Sequence, residues 1–262
     1  MTTPPPLLSI REVSKRFGGL SAVDAVSFEV HSGEIVGVIG PNGAGKSTLF
    51  NLVSGLAPLT GGDVIFGGND MTLVPPHERS AIGMTRTFQI VRLFGHLSVI
   101  ENVMLGGHCR TTQGFASSLL RLPKVLIDDR KLRHLAMHWL NFVGLSKRAD
   151  EPASHLPHGQ QRMVEIARAM ISGPKLLLLD EPAAGLNGAE TTNLLNILRQ
   201  LNDRGLSILL VEHDMKFIMG ICDRIVVLDH GTGIAQGTPQ EIRQNPAVIE
   251  AYLGKRNGDA AH

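Results

Sequence analysis

The sequence is poor in aromatic residues, which make up 4% of its 262 positions and include one tryptophan and one tyrosine. Proteins that bind single-stranded nucleic acid or sugars stack them on aromatic side chains, so these classes are disfavoured. An excess of charge is also missing, because 25 Lys and Arg face 24 Asp and Glu at a net charge of +1. Without a bulk field that attracts nucleic acid or an anionic membrane, any anion site must be local.

Cysteines and long apolar runs are scarce as well. The two cysteines, Cys109 and Cys222, lie far apart, which is typical of free thiols in a reducing compartment and not of a disulfide framework. No run approaches the roughly 18 apolar residues that a membrane span needs, and residues 1–6 lack the basic-then-apolar layout of a secretory signal. We therefore expect a soluble, cytosolic chain. If it works at a membrane, another chain must hold it there.

The apolar patterning predicts an α/β fold. Continuous apolar runs at 35–39, 176–179, 208–211 and 225–228 are typical of strands buried on both faces. Helical patterns alternate with these runs, which indicates a mainly parallel sheet with helices on both sides. They lie at 46–54, 160–171, 190–203 and 215–222. Shorter β-type runs within 8–30 and at 64–66 predict an N-terminal antiparallel β subdomain.

From about residue 97 the pattern becomes helical, with a long amphipathic stretch at 127–143. We therefore predict one domain at 1–254, in which an α-helical subdomain at 86–161 is inserted into an α/β core. The core comprises 1–85 and 162–235, a helical tail follows at 236–254, and 255–262 is expected to be disordered. Capping boxes at Ser98–Glu101 and Thr238–Glu241 predict two helix starts.

Residues 40–47, Gly-Pro-Asn-Gly-Ala-Gly-Lys-Ser, fit the P-loop pattern GxxxxGK[ST] between a predicted strand and a predicted helix. In this pattern successive backbone N–H groups surround phosphates, Lys46 reaches the β and γ oxygens, and Ser47 ligates Mg²⁺. The predicted nucleotide-binding residues here are Gly40, Pro41, Asn42, Gly43, Ala44, Gly45, Lys46, Ser47 and Thr48.

Two carboxylates, Asp180 and Glu181, follow the apolar run at 176–179. Ligands bind beyond the carboxyl ends of parallel strands, so we expect both acids to face the phosphates. Asp180 suits the metal, and Glu181 suits polarising the attacking water. A pair that merely caps the next helix is the alternative. His213 also follows a predicted buried strand, which favours a role at the phosphates.

The sequence resembles the ATPases of ATP-binding cassette (ABC) transporters from Ile10 to Leu253. The motifs that carry the resemblance stand in chain order: Lys46, Gln89, Gly159-Gln160-Gln161, Asp180-Glu181 and His213. The resemblance implies a P-loop fold, ATP and Mg²⁺. It implies that Gln89 touches Mg²⁺ and faces a membrane subunit, and that His213 lies near the γ-phosphate. It also implies adenine stacking on Phe17, with Val23 as a packing neighbour.

By the same resemblance, Gly159 and Gln160 belong to a signature that covers the ATP held by a partner cassette. The signature here departs from the family, because Pro157 replaces a serine and His158 replaces a glycine. The missing hydroxyl removes one hydrogen bond to the γ-phosphate, about 1.5–3 kcal/mol for a bond to a charged group. Asn187 likewise replaces the more usual aspartate of the D-loop.

Residues 86–94 and the tail at 236–254 resemble the ATPase subunits of branched-chain amino-acid importers. This finer resemblance implies a place on the cytoplasmic face of the membrane, two membrane permeases and, indirectly, a substrate-binding protein. The second cassette is expected to be a different chain, although an identical one stays open. No nucleic-acid partner is expected. The alternatives are an ABC ATPase for lipid or polysaccharide export and a non-transport ATP-binding clamp.

Overall fold

The computed structural model describes residues 4–87, 93–107 and 123–253. Its first sheet is antiparallel, with strands in the order β2-β1-β4-β5. The strands are β1 (Leu8–Phe17), β2 (Leu20–Val30), β4 (Gly61–Phe66) and β5 (Asn69–Asp70). The predicted N-terminal antiparallel part is therefore confirmed.

The second sheet has the order β10-β9-β3-β8-β7-β6, and every neighbouring pair is parallel except β10 with β9. This confirms the mainly parallel sheet. Its strands are β3 (Ile35–Ile39), β6 (Met84–Arg86), β7 (Leu176–Asp180), β8 (Ser207–Val211), β9 (Arg224–Asp229) and β10 (Thr232–Gly237). Neither edge strand, β6 nor β10, has a continuous apolar run, which is why the pattern did not predict them.

The helices of the described residues begin and end within a few positions of the predicted ones, and α2 alone has no predicted counterpart. They are α1 (Lys46–Val53), α2 (Pro76–Ala81), α3 (Val99–Leu105), α4 (Pro123–Phe142), α5 (His158–Met170), α6 (Gly188–Asn202), α7 (Met215–Ile221), α8 (Pro239–Gln244) and α9 (Pro246–Leu253). Both predicted capping boxes are formed, at Ser98 and at Thr238. None of the helices in the described ranges has the length and apolar content needed to cross a bilayer.

Alternate residues of the second sheet enter two different cores. In β7, Leu177 and Leu179 pack with residues of α3, α5, α6 and α7, whereas Leu176 and Leu178 pack with α1 and the antiparallel sheet. Both faces are therefore covered by helices, as predicted, but α1 shares its face with the first sheet. This sandwich holds the carboxyl ends of the parallel strands, where the candidate site lies, on a rigid base.

Two predicted limits of the helical insertion do not coincide with element ends. Arg86, predicted to begin the insertion, instead ends β6 and pairs with Leu178 of β7, because the edge of the sheet accepts this strand. The limit at 161/162 falls inside α5. Gln89, Cys109 and the tail at 255–262 lie outside the described residues. The division of the chain into subdomains remains a proposal.

Candidate active site

The P-loop borders a cavity of about 410 Å³ beyond the carboxyl end of β3. Residues 42–48 line it together with 20–22, Glu181, His230 and Gly231. Gly45 is the N-cap of α1 at a left-handed φ of 96°, and a Cβ there would lie 2.4 Å from the carbonyl oxygen of Ala22. Only glycine fits, and without a side chain it leaves the first N–H groups of α1 for phosphate oxygens.

Lys46 is held by the P-loop itself. Its Nζ donates to the carbonyl oxygens of Gly40, at 2.7 Å, and Pro41, at 2.9 Å. Burial lowers the pKa of Lys46, and the nearby negative charge of Glu181 opposes that shift. Phosphate oxygens in the cavity would offer charged acceptors in place of these neutral carbonyls, and charge-assisted hydrogen bonds are the stronger kind.

Asp180 and Glu181, at the end of β7, have different surroundings. Asp180 is buried, and its Oδ2 accepts a hydrogen bond from Nη2 of Arg86 at 2.7 Å. Glu181 has a left-handed φ of 45°, a strained conformation for a residue with a Cβ, and it lines the cavity. A Ser47 hydroxyl and one carboxylate are a donor set that suits Mg²⁺, which takes its remaining ligands from phosphates and water.

His213 lies beside these acids on an exposed segment. Its Nδ1 is 3.9 Å from Oε1 of Glu181 and 3.8 Å from Oε2 of Glu212, and 63% of its side chain is exposed. Glu212 is buried and accepts the backbone N–H groups of Ala183, at 2.7 Å, and His213, at 3.1 Å. Burial raises the pKa of Glu212, while these hydrogen bonds oppose the shift. Glu212 thus joins the segment after Glu181 to the segment that carries His213.

Sequence reasoning missed Glu212 as well as Arg86. A signal for Glu212 was present, because it follows the buried strand β8 as Glu181 follows β7. The register confirms that they are equivalent, since Asp180 pairs with Val211 in neighbouring parallel strands. No comparable signal marked Arg86, whose partner Asp180 is 94 positions away.

The signature residues begin α5 and pack against α6 of the same chain. Pro157 is the N-cap of α5 and makes no side-chain capping bond. A Cβ on Gly159 would lie 2.3 Å from Oε1 of Glu190, so a larger residue there would displace the glutamate side chain. The side-chain oxygen of Gln160 accepts a hydrogen bond from Arg148 at 2.5 Å. The start of α5 is therefore positioned by its own chain.

The predicted adenine-binding residues are placed differently from one another. Phe17 ends β1 with 55% exposure, and the Nζ of Lys15 lies 5.1 Å from its ring centroid. Val23 is fully buried beneath Gly45, whereas Leu20, which is 68% exposed, lines the cavity. Leu20 was missed, although an apolar residue at the tip of a hairpin was the available signal. Nucleotide contacts of Phe17 and Val23 remain predictions.

The C-terminal helix α9 lies beside the P-loop. A second cavity, of about 770 Å³, separates residues 41–44 from Ala247, Glu250 and Ala251. Burial raises the pKa of Tyr252 in this helix, and the nearby backbone N–H of Gly40 opposes that shift. The tail therefore contacts the residue that begins the P-loop.

Comparisons with known proteins agree with this geometry. A family model described as ABC transporter matches residues 23–184, and one described as branched-chain amino acid ATP-binding cassette transporter matches 234–256. The high-affinity branched-chain amino acid transport ATP-binding protein LivG of Escherichia coli K12 is 46% identical over 251 residues, which cover 95% of this chain and 98% of LivG. The lipopolysaccharide export system ATP-binding protein LptB of the same organism is 35% identical over 95% of this chain and 97% of LptB.

The fold agrees equally well with solved structures. A nucleotide-free ATP-binding cassette from an ABC transporter superposes with a TM-score of 0.83 at 31% identity, covering 96% of this chain and all of that one. The family that these comparisons match is the same family that the motifs resemble. The same chain has the P-loop cavity, the acids where β7 ends and the two-sheet architecture. The chain belongs to the ATP-binding cassette family of ABC transporter ATPases.

Proposed function

We propose that this ATPase binds and hydrolyses Mg-ATP to drive the import of branched-chain or related hydrophobic amino acids. The observation that carries the hydrolytic role is that Glu181 lines the same cavity as Lys46 and Ser47 of the P-loop. A base and a phosphate cradle that share one cavity can align an attacking water with a γ-phosphate.

Each residue of the site has a role in this proposal. The P-loop N–H groups and Lys46 hold the β and γ phosphates, with adenine stacked on Phe17. Ser47, Asp180 and Gln89 would hold Mg²⁺, which neutralises charge that develops on the phosphates. Glu181 orients and polarises the attacking water, and His213 contacts the γ-phosphate from the exposed side.

The signature residues act on a second ATP molecule. Gly159 and Gln160 would cover the nucleotide of a partner cassette, which we propose to be a different chain. Two permeases would bind the pair at the cytoplasmic face of the membrane, with a substrate-binding protein delivering the cargo. The match of the tail to the branched-chain family model supports amino-acid import over lipid or polysaccharide export.

The hydrolytic role is tested with Glu181→Gln, which removes the base and preserves side-chain size. We expect ATP affinity to stay within about threefold while turnover falls by roughly 100-fold or more, the usual contribution of a general base. Asp150→Asn is the matched control, because this carboxylate is 82% exposed and lies outside the cavity. Near-normal hydrolysis by Glu181→Gln would refute the assignment.

A test of the substrate class requires the whole transporter assembly. The complex is purified from native membranes through a tag on this chain, the permeases are identified, and the assembly is reconstituted in vesicles with its binding protein. We expect ATP-dependent uptake of leucine, isoleucine and valine, and its loss when this chain carries Glu181→Gln. Co-purification of a lipid or polysaccharide permease would overturn the substrate class and leave the ATPase role intact.

A further inference from the structure

Asp180, the carboxylate that is proposed to bind the metal, forms a buried ion pair with Arg86. Nη2 of Arg86 donates to Oδ2 of Asp180 at 2.7 Å, and the two side chains are 11% and 7% exposed. A buried carboxylate is costly unless a partner compensates its charge. The guanidinium supplies that compensation in a protein without bound metal.

The guanidinium is also fixed from its other side. Its Nη1 donates to Ser54 Oγ at 2.7 Å, to Asn51 Oδ1 at 2.8 Å and to the carbonyl oxygen of Phe50 at 3.3 Å. All three acceptors belong to the C-terminal part of α1 or its C-cap, and the N-terminal part of α1 carries Ser47. Arg86 is therefore held near Asp180 by contacts that do not depend on the carboxylate.

We propose that Arg86 is an internal counter-ion for Asp180, which compensates the carboxylate when no metal is bound and weakens metal binding there. This inference rests on the proposed Mg-ATP function. Two cations that share one carboxylate repel each other, and the repulsion is strong at a site with little water. Because the end of α1 holds the guanidinium, Arg86 cannot simply leave, so it sets the Mg²⁺ concentration that the site requires.

The test uses Arg86→Gln, which keeps a polar side chain but is shorter and carries no charge, and Arg86→Lys, which keeps the charge. For each purified chain, binding of a fluorescent, non-hydrolysable ATP analogue is titrated with Mg²⁺. We expect the half-saturating Mg²⁺ concentration to fall at least about fivefold in Arg86→Gln and to stay within about twofold in Arg86→Lys. An equal or higher half-saturating Mg²⁺ concentration in Arg86→Gln would overturn the proposal.

Thermal unfolding supplies a readout that is independent of activity. With EDTA, Arg86→Gln should melt below the wild type, because Asp180 loses its compensating charge. Mg²⁺ with nucleotide should then raise the Tm of the variant by more than that of the wild type. The double variant Arg86→Gln/Asp180→Asn should recover stability in EDTA, as a coupled pair requires. Additive losses in this cycle would contradict the counter-ion role.

Arg224→Gln is the matched control. Arg224 forms a similar part-buried pair with Glu34 at 2.8 Å, at the opposite, amino-terminal end of the parallel strands. Its loss should lower the Tm without changing the Mg²⁺ demand. If Arg86→Gln does not fold, Asn51→Ala replaces it as the test, because it removes one hydrogen-bond acceptor of the guanidinium. The half-saturating Mg²⁺ concentration should then fall, and an unchanged value would refute the proposal. Mg²⁺-independent nucleotide binding by the wild type would instead contradict the proposed function.

Discussion

Arg79 supports α1, the helix that begins at Lys46, and its replacement is predicted to destabilise the whole chain. The side chain is 1% exposed and donates only to backbone carbonyl oxygens among the described residues. Its acceptors include Val53 at 2.6 Å and Leu52 at 3.1 Å, at the end of α1, and Val74 at 2.7 Å. A cation here also complements the negative end of the dipole of α1.

The magnitude follows from which carbonyls lose their donor in Arg79→Met. Within the described part of the chain, the oxygens of Val53 and Val74 receive no hydrogen bond besides those from Arg79. Two buried carbonyls left without donors cost about 1–3 kcal/mol each. Methionine fills most of the volume and removes the cost of burying a charge, which offsets part of that loss. We expect a net loss of about 2–4 kcal/mol in the free energy of unfolding.

Urea denaturation followed by far-UV circular dichroism measures this loss. The control is Arg133→Met, because Arg133 is half exposed and pairs with the exposed Asp150 at 2.9 Å. Exposed pairs contribute little, so the control should lose no more than about 1 kcal/mol. A loss below about 1 kcal/mol in Arg79→Met would show that water replaces the guanidinium at these carbonyls, and the reasoning would then fail.

Four further changes test other parts of the structure. Asn187→Ala removes the N-cap oxygen that accepts hydrogen bonds from the backbone N–H groups of Ala189 and Glu190 at 3.0 Å. It should lower the free energy of unfolding by about 1 kcal/mol in urea titrations, whereas Asn187→Asp should be nearly neutral. Gly37→Ala places a Cβ 2.8 Å from Sγ of Cys222, so overpacking should cost about 1–3 kcal/mol in the same assay. Because its raised pKa makes the native state hold a proton more tightly than the unfolded chain, Glu212 contributes stability that is complete below the ordinary carboxyl pKa and is lost as pH rises through the raised value. Glu212→Gln should therefore flatten the fall of Tm as pH rises above the ordinary carboxyl pKa, and an unchanged profile would contradict this origin. Pro157→Ser in the assembled complex should leave ATPase activity equal or higher, and a loss above about tenfold would show that proline is needed there.

The sequence predicted the parts of the site that depend on neighbours along the chain. The P-loop, its flanking strand and helix, and the acids after β7 follow from local pattern, because periodicity and glycine spacing are readable over ten residues. The two predicted capping boxes also depend only on residues three positions apart. Helix α5 begins two residues before the predicted start, because Pro157 serves as its N-cap although it lacks a capping side chain.

The remaining parts depend on which strands lie side by side. Strand β6 consists of three residues, so no periodicity marks it, and its place beside β7 alone brings Arg86 to Asp180. The contact between Glu212 and Ala183 likewise spans 29 positions and requires β7 next to β8. Sheet order is decided by packing across the whole chain, which one sequence does not display.

Contacts within the chain also explain how a site proposed to bind anions and metal can be stable before either binds. The charges that nucleotide and metal would engage already have partners within the chain: Lys46 is satisfied by P-loop carbonyls, and Asp180 by Arg86. In the proposed function, binding is then an exchange of partners, in which phosphate oxygens would replace carbonyls at Lys46 and the metal would share Asp180 with the guanidinium. Such exchange lowers affinity, because the internal contacts must weaken, but it spares the empty site the cost of buried charges without partners.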